Sequence, residues 1–323
     1  MASTKLKDKR IVDEYKRLRE TCCWFDFGHL AKLRLTGADR KGWLQGQVTS
    51  DLRNLFVGGF AKLCLLSPTG QIVADCDIWA LGEEFFITFS DVARGASVIR
   101  LERMLILEDV LIEDLTDDFG LISVQGPDTT EILGDRIAMP RLNASHVDLG
   151  GSETSLLRSD RTGSGGWDIV FPLDKKESVA SLLEGIHEAG EETWDVARIE
   201  SGIPIYGKDM NERTLAMEMG SRFIDSRISF EKGCYTGQEI VERIRSRGHA
   251  NRRWVGIVAE SPVATADVVG QVGLITSAGV SPEFGPVAAA MIKAEAATPG
   301  GQIIISAAQG EVHGEIVEMP IRH

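Results

Sequence analysis

The chain is poor in cysteine. Its 323 residues hold five, at positions 22, 23, 64, 76 and 234, an odd number with no C-x-x-C pair. A disulfide framework and a zinc site both need paired or regularly spaced thiols, so neither fits, and no spacing typical of iron–sulfur ligation is present. No run approaches the ~18 apolar residues that a membrane helix needs. Residues 1–20 have no apolar core and carry Asp8, Asp13 and Glu14, unlike a secretory or organelle-targeting peptide. We therefore expect a cytoplasmic protein without membrane contact. Positive charge is also short. Thirty-five Lys and Arg stand against 48 Asp and Glu, a net charge of -13, which disfavours direct nucleic-acid binding. The Gly-rich stretch Thr162-Gly163-Ser164-Gly165-Gly166-Trp167 is not followed by Gly-Lys-Ser/Thr, so it reads as a hairpin connection and not as a phosphate-cradling loop.

What is present is an ordinary globular composition, 43% hydrophobic and 26% charged, with length for two or three domains. Leu6, Val12, Tyr15 and Leu18 predict a surface helix at the start. Leu33-Arg34-Leu35-Thr36-Gly37-Ala38-Asp39 reads as a strand, a tight turn and a helix start, with Trp43 and Leu44 on the helix. The pattern returns in Ile122-Ser123-Val124-Gln125-Gly126-Pro127-Asp128, followed by Ile132 and Leu133, and Asp128 with Glu131 has capping-box spacing. These copies, near 33–46 and 122–135, predict a duplicated two-lobed module with a ligand cleft between the lobes. Between them we expect a hairpin over 63–79, a strand over 85–89 and a helix over 92–107. Strands over 154–158 and 168–171 and helices over 177–189 and 194–201 follow. Beyond Arg253, five short apolar segments alternate with Gly, Pro and Ser turns, the pattern of a small all-β barrel or sandwich. The division expected is a two-lobed module over 1–248 and a β domain over 249–323.

The stretch Lys232-Gly233-Cys234-Tyr235-Thr236-Gly237-Gln238-Glu239 concentrates chemistry. Thr236 and Glu239 have capping-box spacing, Ile240, Val241 and Ile244 continue at helical spacing, and Gly248 is a stop. Cys234 would then precede a helix N-terminus with Lys232 two residues away, a setting that favours a thiolate. Glu231 and Glu239 oppose it, and a small buried hydrophobe is the other role open to a free cysteine. Residues 232–253 also hold six Lys/Arg against two Glu. They form either an anion site or a solvated, salt-bridged face.

This eight-residue motif, continued by Ile240-Val241-Glu242-Arg243 and Arg247-Gly248, resembles the signature of YgfZ-type folate-binding proteins. These are iron–sulfur maintenance relatives of the glycine-cleavage T-protein, an aminomethyltransferase. Trp43-Leu44-Gln45-Gly46-Gln47-Val48-Thr49-Ser50-Asp51 and Val124-Gln125-Gly126-Pro127 are similar to the lobe motifs of that superfamily. Ala197-Arg198-Ile199-Glu200-Ser201-Gly202-Ile203-Pro204-Ile205-Tyr206-Gly207 is similar to its linking segment. The resemblance implies an α+β fold of two pseudo-symmetric lobes around a central folate channel, plus a C-terminal β-barrel. It implies tetrahydrofolate or a one-carbon derivative as cofactor, with Glu200, Trp194, Arg198 and Tyr206 as binding residues and Cys234 and Lys232 as catalytic ones. No residue is assigned to a metal. It further implies a role in assembly or repair of [4Fe–4S] enzymes, with clients such as radical-SAM tRNA methylthiolases and an indirect effect on tRNA modification. The alternative it implies is a folate-dependent aminomethyltransferase or demethylase. The superfamily's assisting Asp aligns with Ser97, with Asp91 six residues out of register, and the YgfZ-type first-lobe aromatic falls near Leu30. Arg243, Arg245, Arg247, Arg252 and Arg253 are expected to attract the glutamate tail of folate or an acidic client face.

Overall fold

A computed structural model of the chain describes residues 8–149, 153–248 and 250–321; Leu6 lies outside the described residues. Helix α1 (Lys9–Glu20) starts at Asp8, whose carboxylate accepts the Arg10 N–H, and buries Tyr15 and Leu18. Strand β1 (Cys23–Asp26) follows, then β2 (Ala31–Thr36), α2 (Arg40–Gln45), β3 (Phe60–Leu66), β4 (Ile72–Leu81), β5 (Glu84–Phe89), α3 (Arg94–Arg103) and β6 (Leu111–Asp114). The second lobe runs β7 (Phe119–Gln125), α4 (Thr129–Gly134), β8 (Ala144–Asp148), β9 (Glu153–Arg158), β10 (Gly166–Pro172), α5 (Lys176–Leu182) and β11 (His187–Glu188). Helix α6 (Glu191–Glu200), α7 (Ser221–Arg227) and α8 (Gln238–Arg247) lead to the last six strands. These are β12 (Arg252–Ala259), β13 (Val268–Val269), β14 (Gly273–Ser281), β15 (Gly285–Lys293), β16 (Gln302–Ala307) and β17 (Gly310–Val317), and they close into a barrel in the order β12-β15-β14-β13-β16-β17. No described helix is long and apolar enough to cross a membrane.

The duplication is visible in the strand order. One sheet runs β3-β4-β5-β2-β6, and the other, read from its far edge, β8-β9-β10-β7-β1-β11. The first four places correspond copy to copy, and β5 and β10 each lead through a short 3-10 turn into a helix. The fifth place is filled differently: β6 follows its lobe, whereas β1 arrives from the chain start. The turn glycines of the two copies, Gly37 and Gly126, have φ of +102° and +134°, and a Cβ there would lie 2.1 Å from the Asp109 carbonyl oxygen and 2.3 Å from that of Thr21. Only glycine allows both the dihedral and the approach.

Several expectations shift. Helix α3 ends at Arg103, short of 107, and leaves Ile106 and Leu107 exposed. Helix α5 ends at Leu182, and His187–Glu188 becomes a strand beside β1. Neither capping box forms. Asp128 makes no side-chain cap, and α8 starts after Gly237, in the left-handed region at φ +86°. A Cβ at Gly237 would lie 2.6 Å from the Ser67 carbonyl oxygen, so the β3–β4 hairpin packed against this turn sets its conformation. Gly248 does stop α8, its N–H donating to the Ile244 carbonyl.

Candidate functional site

Side-chain alternation on β4 builds the floor of a cleft. Ala74, Cys76 and Ile78 are buried in the lobe core, so Asp75 and Asp77 point to the opposite face. In register across three strands lie Lys62 of β3, Asp77 of β4 and Thr88 of β5, with Lys62 Nζ 3.7 Å from the Asp77 carboxylate. The facing walls come from elsewhere: Phe27 and Leu30 after β1, Asp160 and Arg161 from the β9–β10 connection, Trp194 of α6, residues 203–206, and Arg227 at the end of α7. The space between these side chains is about 650 Å³, solvent at the open mouth included.

Charges on the wall are balanced, with Asp75, Asp77 and Asp160 against Lys62, Arg161 and Arg227. Arg227 binds Asp75 through two nitrogens, Nη2 at 3.1 Å from Oδ2, and stacks on Phe223 at 4.2 Å. Burial alone would lower the Arg227 pKa, but Asp75 more than offsets this and the value is raised. Arg161 pairs with buried Asp168 at 2.6 Å, lies 5.1 Å over the Phe27 ring, and is raised for the same reasons. Trp194 meets Phe27 edge-on, centroids 4.8 Å apart, and its Nε1 donates to the Arg161 carbonyl at 3.1 Å. An aromatic corner and carboxylate hydrogen-bond acceptors therefore face one space.

Of the six residues singled out from the sequence, two reach this cleft: Trp194 and Tyr206. Arg198 lies behind Trp194, fully buried, with its guanidinium donating to Asp195, Asp209, Ser277 and the Ile203 carbonyl. It ties α6 to the barrel. Glu200 is also off the cleft wall. Its Oε2 accepts from the Tyr15 hydroxyl at 2.7 Å and Arg19 Nη2 at 2.8 Å, and Arg19 in turn donates to Thr162 O and Ser164 Oγ. Ser97 is buried in α3 and Asp91 lies near Arg94 at 3.9 Å; neither lines the cleft. The sequence reading passed over Phe27, Arg161 and the Asp75/Asp77 pair. The alternation Ala74-Asp75-Cys76-Asp77-Ile78 was the available signal.

Lys232 is buried, although Cys234 two residues along is exposed. It turns into the first lobe, where Nζ donates to the carbonyls of Gln45, Val48 and Ser50 at 2.6, 2.6 and 2.7 Å. Burial pushes its pKa down to about 8, opposed by Asp51. Cys234 is exposed, whereas Cys22, Cys23, Cys64 and Cys76 are buried. Burial, with nearby acidic charge, pushes the Cys22 thiol up to about 11 and Cys23 to about 12, and raises Cys64 and Cys76. A raised thiol pKa means less thiolate; at about pH 8 only roughly one Cys22 in a thousand would be ionised. Limiting iodoacetamide at that pH should therefore alkylate Cys234 first, as read by peptide mass spectrometry. Faster labelling of any of the four buried thiols would contradict the packing described.

Comparison with known proteins agrees with this architecture. The family model for the GCVT N-terminal domain matches residues 3–227. An aminomethyltransferase of Halothermothrix orenii is 24% identical over 329 residues, covering 96% of this chain and 91% of its own. One from Rubrobacter xylanophilus is 28% identical over 292 residues, covering 85% and 77%. The crystal structure of glycine cleavage system aminomethyltransferase T from Bartonella henselae superposes with a TM-score of 0.83 at 19% identity, over 96% of this chain and 89% of that one, and shares its fold. These relatives are named aminomethyltransferases, so the narrower YgfZ-type resemblance is not borne out by them. Two matching lobes, the barrel and the family match over most of the chain together show that it belongs to the GCVT N-terminal domain family.

Proposed function

We propose that the chain binds a reduced folate in the cleft between its lobes and serves one-carbon transfer of the aminomethyltransferase kind. The observation that carries this is the cleft wall, where the Phe27/Trp194 corner and Tyr206 stand opposite Asp75 and Asp77. A pterin would need an aromatic surface and carboxylate acceptors for its N–H edge, and both are present. The relatives named aminomethyltransferase support the reaction class. Folate would supply the one-carbon carrier; the chain's residues would bind, orient and handle protons. With no Asp at the position of Ser97, Asp77 is the candidate for the last role, because its ion pair with Lys62 at 3.7 Å is looser than Asp75's with Arg227.

Trp194→Ala should weaken tetrahydrofolate binding by about 2 kcal/mol, roughly 30-fold, read by calorimetry. Glu200→Ala should weaken it less, since Glu200 acts through Arg19 on the connection that carries Asp160 and Arg161. Failure of the wild-type protein to bind any folate would end the proposal.

The exposure of Cys234 favours a second reading, a folate-binding accessory factor for [4Fe–4S] enzymes that uses this thiol. Complementation of a strain lacking such a factor, with wild-type and Cys234→Ala chains, tests it: equal rescue of [4Fe–4S] enzyme activity by both would remove the thiol from the function.

A further inference from the structure

Among the described residues no part of the barrel lines the cleft, yet one buried carboxylate joins the barrel to two of the cleft's walls. Asp209 is 2% exposed and follows the wall segment 203–206. Its two oxygens accept four hydrogen bonds. Oδ2 takes Arg198 Nη1 at 2.8 Å and the Ile205 N–H at 3.0 Å. Oδ1 takes the hydroxyls of Thr276 and Ser277, both on β14, at 2.7 and 2.8 Å. Adjacent residues of a regular strand point to opposite faces, so two such hydroxyls do not ordinarily reach one oxygen. A bulge in β14 removes the conflict. Ile275 pairs with Ala290 and Ser277 with Ala289, the very next position, so Thr276 is the extra residue and its side chain is re-aimed.

From Asp209 two routes lead to the cleft. The first is backbone: besides accepting the Ile205 N–H, Asp209 donates its own N–H to the Ile205 carbonyl at 2.8 Å, which fixes the chain between Pro204 and Tyr206. The second is Arg198. Its guanidinium sits between Asp195 at 2.6 Å and Asp209 at 2.8 Å, donates to Ser277 Oγ at 2.7 Å, and lies 5.7 Å from the centre of the Trp194 ring. Arg198, Asp209 and Ser277 are all buried and all partnered, and such a satisfied network holds its members in one geometry. Resting on the folate reading, we propose that Asp209 is a positioning residue: it passes the place of the β14 bulge to Trp194 and to the 203–206 wall, so that the barrel sets the shape of a cleft it does not line. A ligand stacking on Trp194 then meets a ring already oriented, and little ordering is left to oppose binding.

The test uses the full chain labelled with 5-fluorotryptophan, the Trp194 fluorine resonance being the one lost in Trp194→Phe. Thr276→Val/Ser277→Ala removes both barrel donors to Asp209. At a temperature where this variant is fully folded by circular dichroism, its Trp194 resonance should shift or broaden before any ligand is added, and its tetrahydrofolate affinity by calorimetry should fall about tenfold. Asp209→Asn should show the same two changes if it folds. Thr276→Ser keeps its hydroxyl and should keep both wild-type values. An unchanged resonance or an unchanged affinity in the folded double variant would each overturn the proposal, whatever the fall in Tm, because a purely stabilising contact moves Tm alone. The same losses in Thr276→Ser would overturn it too, by tracing them to the methyl group. If the wild-type chain binds no folate, the folate reading fails by itself, and the resonance alone decides whether the barrel orients Trp194.

Discussion

Arg227→Ala is expected to destabilise the protein by about 3–5 kcal/mol and to remove folate binding. The guanidinium is almost wholly buried and closes α7 onto the first lobe. It holds Asp75, stacks on Phe223, and donates to Ser226, while the carbonyl of the same residue accepts from Thr49 and Ser50. Truncating one partner of a buried ion pair leaves the other charge without compensation, which costs far more than the pair itself contributes. Here the stranded group would be Asp75, on the same strand face as Asp77. The removed side chain also lines the cleft. Urea unfolding checks the magnitude. Arg227→Ala/Asp75→Asn should be less destabilised than Arg227→Ala alone, because the unpaired charge goes with it. A loss under about 1 kcal/mol for the single change would mean that the pair behaves as a solvated one.

Lys232→Met is the second large effect, and it separates a structural lysine from a catalytic one. The ammonium satisfies three carbonyls, that of Gln45 at the end of α2 and those of Val48 and Ser50 just beyond it. Methionine fills similar space but donates nothing, so buried acceptors lose their partners at about 1–3 kcal/mol each before relaxation. A net loss of about 3 kcal/mol is expected, a fall in Tm of roughly 4–5 °C for a chain of this size. Folate affinity should stay within about twofold, since Lys232 does not line the cleft. Cys234 should still be the first thiol alkylated. An unchanged Tm together with loss of Cys234 reactivity would return Lys232 to the sulfur's side.

The architecture was legible where local chemistry and tertiary demand agree. Gly37 and Gly126 mark the two copies because both turns need a left-handed residue against a neighbouring backbone. The regular turns after Arg253 announced the barrel for the same reason: strands of that length must reverse at Gly and Pro. Helix limits were less legible. Residues 104–107 and 183–189 keep helical spacing in sequence, yet the sheet edge at His187–Glu188 captures part of the second stretch.

By itself, then, the sequence determined the duplicated lobes, the barrel, and two members of the cleft, Trp194 and Tyr206. It also marked Cys234 as distinct, though not as exposed. Tertiary structure decided the rest, because a side chain's direction depends on what packs against its element. Strand alternation puts Asp75 and Asp77 on one face, but only the second lobe opposite makes that face a cleft wall. Tyr15 and Arg19, some 180 residues earlier in the chain, donate to buried Glu200 and fix its carboxylate, a pairing no local pattern shows. Three carbonyls at the end of α2 and just beyond it likewise hold Lys232 in the first lobe, since a buried ammonium must find acceptors wherever the fold provides them.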